Sequence, residues 1–273
     1  MIALVVPAGL LVLAIMVAPM LLLFRYSLNE YSPTELMIEA TTAANYIKAV
    51  TDPYYRGVLG QTLWVAGLST LLALALGFPA AYALARMGGR WKAWMTLLTV
   101  FPLMVGNVVR AAGWMTVLGN TGMVNAGLKA LGFAGVQMMY TPGAVVVGIV
   151  TVVLPYMILT LASIIERIPR SLEEAALNMG AKPFTVFRRV VFPLSLPGVI
   201  AGCALVFILC MNAYATPLLL GGPRFKMMAP AVYDQFVRTT NWPFGAALAF
   251  ILLFVTLGLT LLGSALLQRR YRA

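Results

Sequence analysis

The sequence predicts an all-α integral membrane protein with six transmembrane helices and a charged segment between the fourth and fifth spans. Three observations carry this. Hydrophobic residues make up 62% of the 273-residue chain, charged residues only 10%, and mean hydropathy is +0.92. Soluble domains lie nearer about half apolar and about a quarter charged. Apolar runs of about twenty residues recur, the length a helix needs to cross the hydrocarbon core, while the alternating pattern of an outer-membrane barrel is absent.

In chain order the predicted spans are Ile2–Phe24, Gly60–Ala85, Ala93–Val109, Gly143–Ile165, Leu196–Leu219 and Phe244–Leu267. The first lacks a basic leading region and a small-residue cleavage site, so it reads as a retained helix. Between spans, Tyr26–Val58 reads as a polar loop. Gly113–Tyr140 reads as a short interfacial helix, and Gly221–Trp242 as a connection. Pro79 and Pro155 fall inside spans as expected kinks. The whole chain reads as one membrane domain. Residues 1–59 supply the first helix and external loop, and residues 60–267 a five-helix core that carries the 170–193 segment.

Short loops rich in Lys and Arg mark the cytoplasmic side of a bilayer. Arg86, Arg90, Lys92, Arg167, Arg170, Lys182, Arg188, Arg189, Arg269, Arg270 and Arg272 fall on one side. Arg25, Lys48, Arg56, Lys129, Arg224, Lys226 and Arg238 fall on the other, with Glu30, Glu35, Glu39, Asp52 and Asp234. The first side is therefore predicted to be cytoplasmic, with both termini. This placement also accounts for the net charge of +11 as membrane topology, without a nucleic-acid partner.

The segment Ser171–Pro193 is punctuated as an elbow. Ser171 and Glu174 have capping-box spacing, predicting a helix from about Leu172. Gly180 suits a left-handed stop, Pro183 the first turn of a second short helix, and Pro193 its end. Two readings fit: an ordinary capped loop, or a docking element with small Ala175, Ala176 and Gly180, and apolar Met179, Phe184 and Phe187. Arg188 and Arg189 are placed to meet phosphates or a partner's acids.

Bond chemistry finds no support. No P-loop string occurs, so any ATP hydrolysis belongs to a partner. The chain has no histidine, and Cys203 and Cys210 read as buried filler, so neither metal nor catalytic spacing exists.

Glu174-Ala-Ala176, three residues, Gly180, nine residues and Val190-Val-Phe192-Pro193 together resemble the EAA-x3-G-x9-I-x-L-P signature. It marks permease subunits of type I, binding-protein-dependent ABC importers; Val190 and Phe192 replace its Ile and Leu. Asn45-Tyr46, Asp52-Pro-Tyr-Tyr55, Arg110-Ala-Ala-Gly-Trp114, Leu154-Pro-Tyr-Met157, Pro197-Gly-Val-Ile-Ala-Gly202 and Trp242-Pro-Phe-Gly-Ala-Ala247 are similar to the spermidine/putrescine group. At Ala112 and Gly113 the chain departs from bulkier residues. The resemblance implies that the elbow is a coupling helix seated in an ATP-binding subunit. Glu173, Glu174, Ala175, Ala176, Met179, Gly180, Ala181, Pro183, Phe184, Phe187 and Arg188 would form its surface. It further implies a bacterial inner-membrane location and an ATPase dimer that binds ATP and Mg, leaving this chain without a cofactor. A second, homologous permease and a periplasmic solute-binding protein complete the implied assembly.

Candidate pathway residues are Arg110, Trp114, Tyr156, Asn212, Tyr214 and Thr216. Arg110 either lines the path or caps carbonyls and snorkels to headgroups. Asn212 and Thr216, four apart, share a helix face and form either a polar stripe or interhelical hydrogen bonds, with Pro217 loosening the helix. Tyr156 and Tyr214 offer cation–π faces. No acid lies in any predicted span, although a polyamine is a polycation. The alternatives therefore stay open: an amino-acid derivative, an opine or an organophosphonate as cargo, or an ion-coupled secondary transporter. The last would need intramembrane acids or broken-helix ion sites.

Overall fold

The computed structural model describes residues 2–223 and 225–272; Arg224 lies outside the described residues, as do the side chains of Arg269, Arg270 and Arg272. The helices are α1 (Ile2–Ser27), α2 (Ala44–Thr51), α3 (Pro53–Arg86), α4 (Gly89–Met104), α5 (Asn107–Leu118), α6 (Met123–Ala130) and α7 (Pro142–Ile165). They continue as α8 (Arg170–Asn178), α9 (Pro183–Val186), a π turn (Phe187–Val191), α10 (Phe192–Met211), α11 (Ala215–Leu220), α12 (Met228–Val237) and α13 (Trp242–Arg272). Among the described residues there is no β-strand, only an isolated bridge between Glu30 and Ile38. Four helices there are long and apolar enough to span a membrane, or five if the bent α4–α5 pair is one span.

The chain divides into two compact units. The first comprises Met1–Gly60 and Met227–Val255. Its polar segment after α1 is an ordered structure, where the sequence suggests only a loop. Asn45 Nδ2 donates to the carbonyls of Ser27 (2.9 Å) and Asn29 (2.8 Å), and Arg25 Nη1 donates to that of Ala40 (2.8 Å). Tyr55 meets Phe244 edge-on at 4.9 Å, and Lys48 Nζ lies 4.8 Å from the Phe244 ring centre. These contacts satisfy loop backbone that would otherwise be orphaned.

The second unit, Gln61–Lys226 and Thr256–Ala273, is built on α7 and α10. α7 is apolar on all faces and opens with Thr141, whose Oγ1 accepts from the Ala144 N–H at 3.2 Å, and with Pro142 in its first turn. At 24 residues it extends about 36 Å, enough for the ~30 Å hydrocarbon core. Met157, Leu161 and Ile165 on α7 are fully enclosed, as are Val206, Cys210 and Met211 on α10.

Four expectations are corrected here. The third span stops at Met104 instead of Val109, and the chain turns 95° before continuing as α5. Pro102 has already removed one helix bond, and Gly106 disfavours the helix by about 1 kcal/mol relative to alanine. The fifth span stops at Met211, so Asn212 and Thr216 share no helix face. A continuous helix would drive the Pro217 ring into the Ala213 carbonyl; the break places Pro217 in the first turn of α11, where no donor is required. At the elbow, α8 starts at Arg170 with Pro169 as N-cap, so Ser171 lies inside the first turn and makes no capping bond; Glu173 and Arg170 reach α3. Lastly, Pro193 does not end a separate helix: α9, the π turn and α10 run on, and the π turn (Phe192 N to Phe187 O) widens the backbone just before the proline ring.

α7 and α11 approach so closely at Gly148 that an added Cβ would lie 2.6 Å from Thr216 Cγ2 and 2.9 Å from Leu220 Cδ2. Gly148→Ala should therefore lower stability by ~1–3 kcal/mol, read as a drop in Tm in detergent. Gly67→Ala, whose Cβ meets nothing within 4 Å in the interior of α3, should not lower Tm and should raise it slightly.

Candidate functional site: an elbow and a polar cavity

Two backbone hydrogen bonds hold the corner of the elbow. The Gly180 N–H donates to Leu177 O (2.9 Å) and the Ala181 N–H to Ala176 O (3.1 Å), the two bonds of a Schellman stop. Gly180 sits at φ +84°, which a side chain strongly disfavours. Pro183 opens α9 with Lys182 as N-cap, as its spacing predicts.

This geometry sorts the predicted coupling residues into two sets. Glu174, Ala175, Met179, Gly180, Pro183, Phe184 and Arg188 are exposed; Met179 and Phe184 are 82% and 72% exposed. Ala176 is buried, and Glu173, Ala181 and Phe187 are half-buried. Phe187 meets Phe78 of α3 edge-on at 5.2 Å, so it faces inward.

Sequence reasoning missed what holds the elbow. Glu173 forms an ion pair with Arg86 of α3, the two side chains only 12% and 14% exposed. Its other oxygen accepts from Tyr82 Oη at 2.6 Å. Arg86 Nη1 donates to Ile168 O (3.1 Å), and Arg170 Nη2 donates back to Arg86 O (2.6 Å). Beside them, Lys92 of α4 pairs with Glu166 at 2.9 Å. The only sequence signal was that Arg86, Lys92, Glu166 and Glu173 fall in loops predicted to share a side.

The second feature is a cavity of about 460 Å³ whose walls include Asn107, Arg110, Tyr156, Asn212, Tyr214 and Thr216. The predicted pathway residues thus converge, with one exception. Trp114 is not in the lining; its Nε1 donates to Thr151 Oγ1 (3.0 Å), tying α5 to α7. Asn107 was not foreseen, because the sequence pattern placed it inside a continuous span. The Arg110 guanidinium donates through Nη2 to Pro102 O and to Val105 O (2.9 Å), the carbonyls freed at the α4–α5 break. Asn212 Nδ2 donates to Ile208 O (2.9 Å), covering the end of α10. No carboxylate is among the lining residues. The cavity can orient a solute through hydroxyls, amides and aromatic faces, but holds no acid–base pair.

Residues 73–272 match the family described as "Binding-protein-dependent transport system inner membrane component". The chain is 34% identical over 234 residues to the spermidine/putrescine transport system permease protein PotB of Haemophilus influenzae, covering 85% of this chain and 79% of that protein. It is 35% identical over 223 residues to PotB of Escherichia coli, covering 81% and 80%. A solved bacterial alginate ABC transporter, in complex with an alginate pentasaccharide-bound periplasmic protein, matches with a TM-score of 0.78. That match covers 99% of this chain and 94% of the other at 15% identity, a likeness of fold alone. The motif, the fold and these relatives agree: the chain belongs to the binding-protein-dependent transport system inner membrane components, the permease subunits of ABC importers.

Proposed function

We propose that this permease moves a polyamine, spermidine or putrescine, from periplasm to cytoplasm by alternating access. The observation that carries the transport reading is the elbow, a Schellman-closed corner that projects Met179 and Phe184 into solvent. Exposed large apolar side chains on a rigid mount mark a docking surface. Family membership supplies the partner: a dimer of ATP-binding subunits, which would bind ATP and Mg, so that this chain needs no cofactor. In this reading α8 is the coupling helix, the chain makes six spans, and both termini are cytoplasmic. A second homologous permease completes the pathway, and a periplasmic binding protein delivers solute. The ion-coupled transporter gives way to the family assignment.

Closure of the ATPases draws two elbows together and rocks the spans; hydrolysis resets them. The chain converts that displacement into a change of gate. The polyamine reading rests on the PotB relatives and fits a cavity without carboxylates. Such a cavity lets a polycation pass along the Tyr156 and Tyr214 faces without trapping it. Arg110 in the lining favours a second reading, a solute carrying an acidic group, such as an opine or an organophosphonate.

Two outcomes test this. In proteoliposomes holding the whole complex, ATP-driven spermidine uptake should be blocked by excess putrescine and untouched by amino acids or phosphonates; the converse would favour the second reading. Gly180→Val places a β-branched residue at positive φ at a cost of ~1–2 kcal/mol, so co-purification of the ATPase should weaken about tenfold at unchanged membrane abundance. Normal co-purification would remove the elbow from the docking surface.

A further inference from the structure

Side chains on one face of α3 hold the elbow. Phe78, Tyr82 and Arg86 lie at i, i+4 and i+8 of α3, one face of the helix. Phe78, 5% exposed, packs its ring against Phe187 at 5.2 Å and Phe192 at 5.8 Å. Tyr82 and Arg86 share the two oxygens of Glu173 in α8. Arg86 also bonds the Ile168 carbonyl, and Arg170 bonds the Arg86 carbonyl. One face of α3 therefore grips the first arm of the elbow, α8, and the Phe187 and Phe192 rings at the two ends of the π turn. The covalent continuation into α10 passes instead through the π turn Phe187–Val191, whose wider bonds are a recurrent site of local deformation.

Stability alone is a poor account of this cluster. Burying an ion pair costs desolvation that its attraction barely offsets, and apolar replacements of similar shape are often as stable. Here the pair is imperfect as well, since Arg86 Nε is buried without an acceptor. What a charged, directional link provides that apolar packing does not is a fixed register between two elements.

We propose that Arg86, with Tyr82, is a positioning residue that latches Glu173 and delivers displacement of the elbow to α3. Glu173 thus acts inward, on α3, and the ATPase is met by its exposed neighbours. The inference rests on the elbow being the coupling segment.

The experiment uses the complete transporter in proteoliposomes and reads solute imported per ATP hydrolysed, beside ATPase co-purification. Arg86→Met should keep co-purification and ATP hydrolysis within about twofold while solute per ATP falls about tenfold, the scale of losing a charged hydrogen bond. Arg86→Lys, which keeps the charge, should recover part of that loss. Glu173→Gln, nearly isosteric, should lower the same ratio, and Arg86→Met/Glu173→Gln should be no worse than Arg86→Met alone, as expected for two ends of one link. An unchanged ratio in both single variants would overturn the latch. So would parallel loss of co-purification in Glu173→Gln, which would return Glu173 to the docking surface. Failure of both single variants to insert would make the pair an assembly element and overturn it too. If the unmodified complex imports nothing on ATP, the fault lies instead with the transport reading.

Discussion

Arg110 fixes the shape of the polar cavity through its bonds to the carbonyls of Pro102 and Val105. A membrane interior has no water to hydrate an open helix end, so each break must be closed by the protein itself. The guanidinium does this at the α4–α5 turn and lets the chain bend by 95°. The same rule operates across the cavity, where Asn212 closes α10 on the Ile208 carbonyl. It operates again between α5 and α7, where Asn125 donates to the carbonyls of Gly119 and Val136 and accepts from the Val136 N–H. The polar cavity is thus assembled from residues that first solve a backbone problem. Its chemistry is a consequence of where helices stop.

At the elbow, the corner is held by the backbone bonds of Gly180 and Ala181. The Schellman pair closes α8, Pro183 restarts the chain, and the Glu173 cluster ties the first turn of α8 to α3. The π turn is the one place between Pro183 and Met211 where the α-helical ladder widens. Met179 and Phe184 remain outside that network, available to a partner at little cost in the fold's own packing.

Local rules made much of this legible in the sequence. Gly180 announces a left-handed stop because only its own φ matters, and Pro183 a helix start for the same reason. The Pro142–Ile165 span is evident from apolar length. Misreadings arose where spacing alone did not decide the outcome. Ser171 looks like an N-cap, but α8 starts at Arg170, and Glu173 and Arg170 reach α3 across more than eighty residues of chain. The breaks at Val105–Gly106 and at Asn212–Tyr214 were hidden in apolar runs, since hydropathy reports burial and says nothing of carbonyls. Yet Arg110 and Asn212, the polar residues that stood out in those runs, are the ones that close them. An isolated polar residue in an apolar run thus marked where a span could stop.

This placement bears on how a cation passes a cavity that contains a cation. A bare guanidinium in a medium of low dielectric would repel a polyamine strongly. In this chain Arg110 Nη2 bonds two carbonyl oxygens, whose dipoles offset part of its field, while its buried Nε and Nη1 have no hydrogen-bond partner. Tyr156 and Tyr214 supply ring faces on the same cavity, and no carboxylate lines it to hold the cargo. Weak attraction with nothing to dwell on suits a conduit more than a receptor, because a deep well would slow release. Strong selection then has to occur before the solute reaches this chain. In the proposed reading the elbow and its latch set the timing, and the cavity needs only to let the chosen solute through.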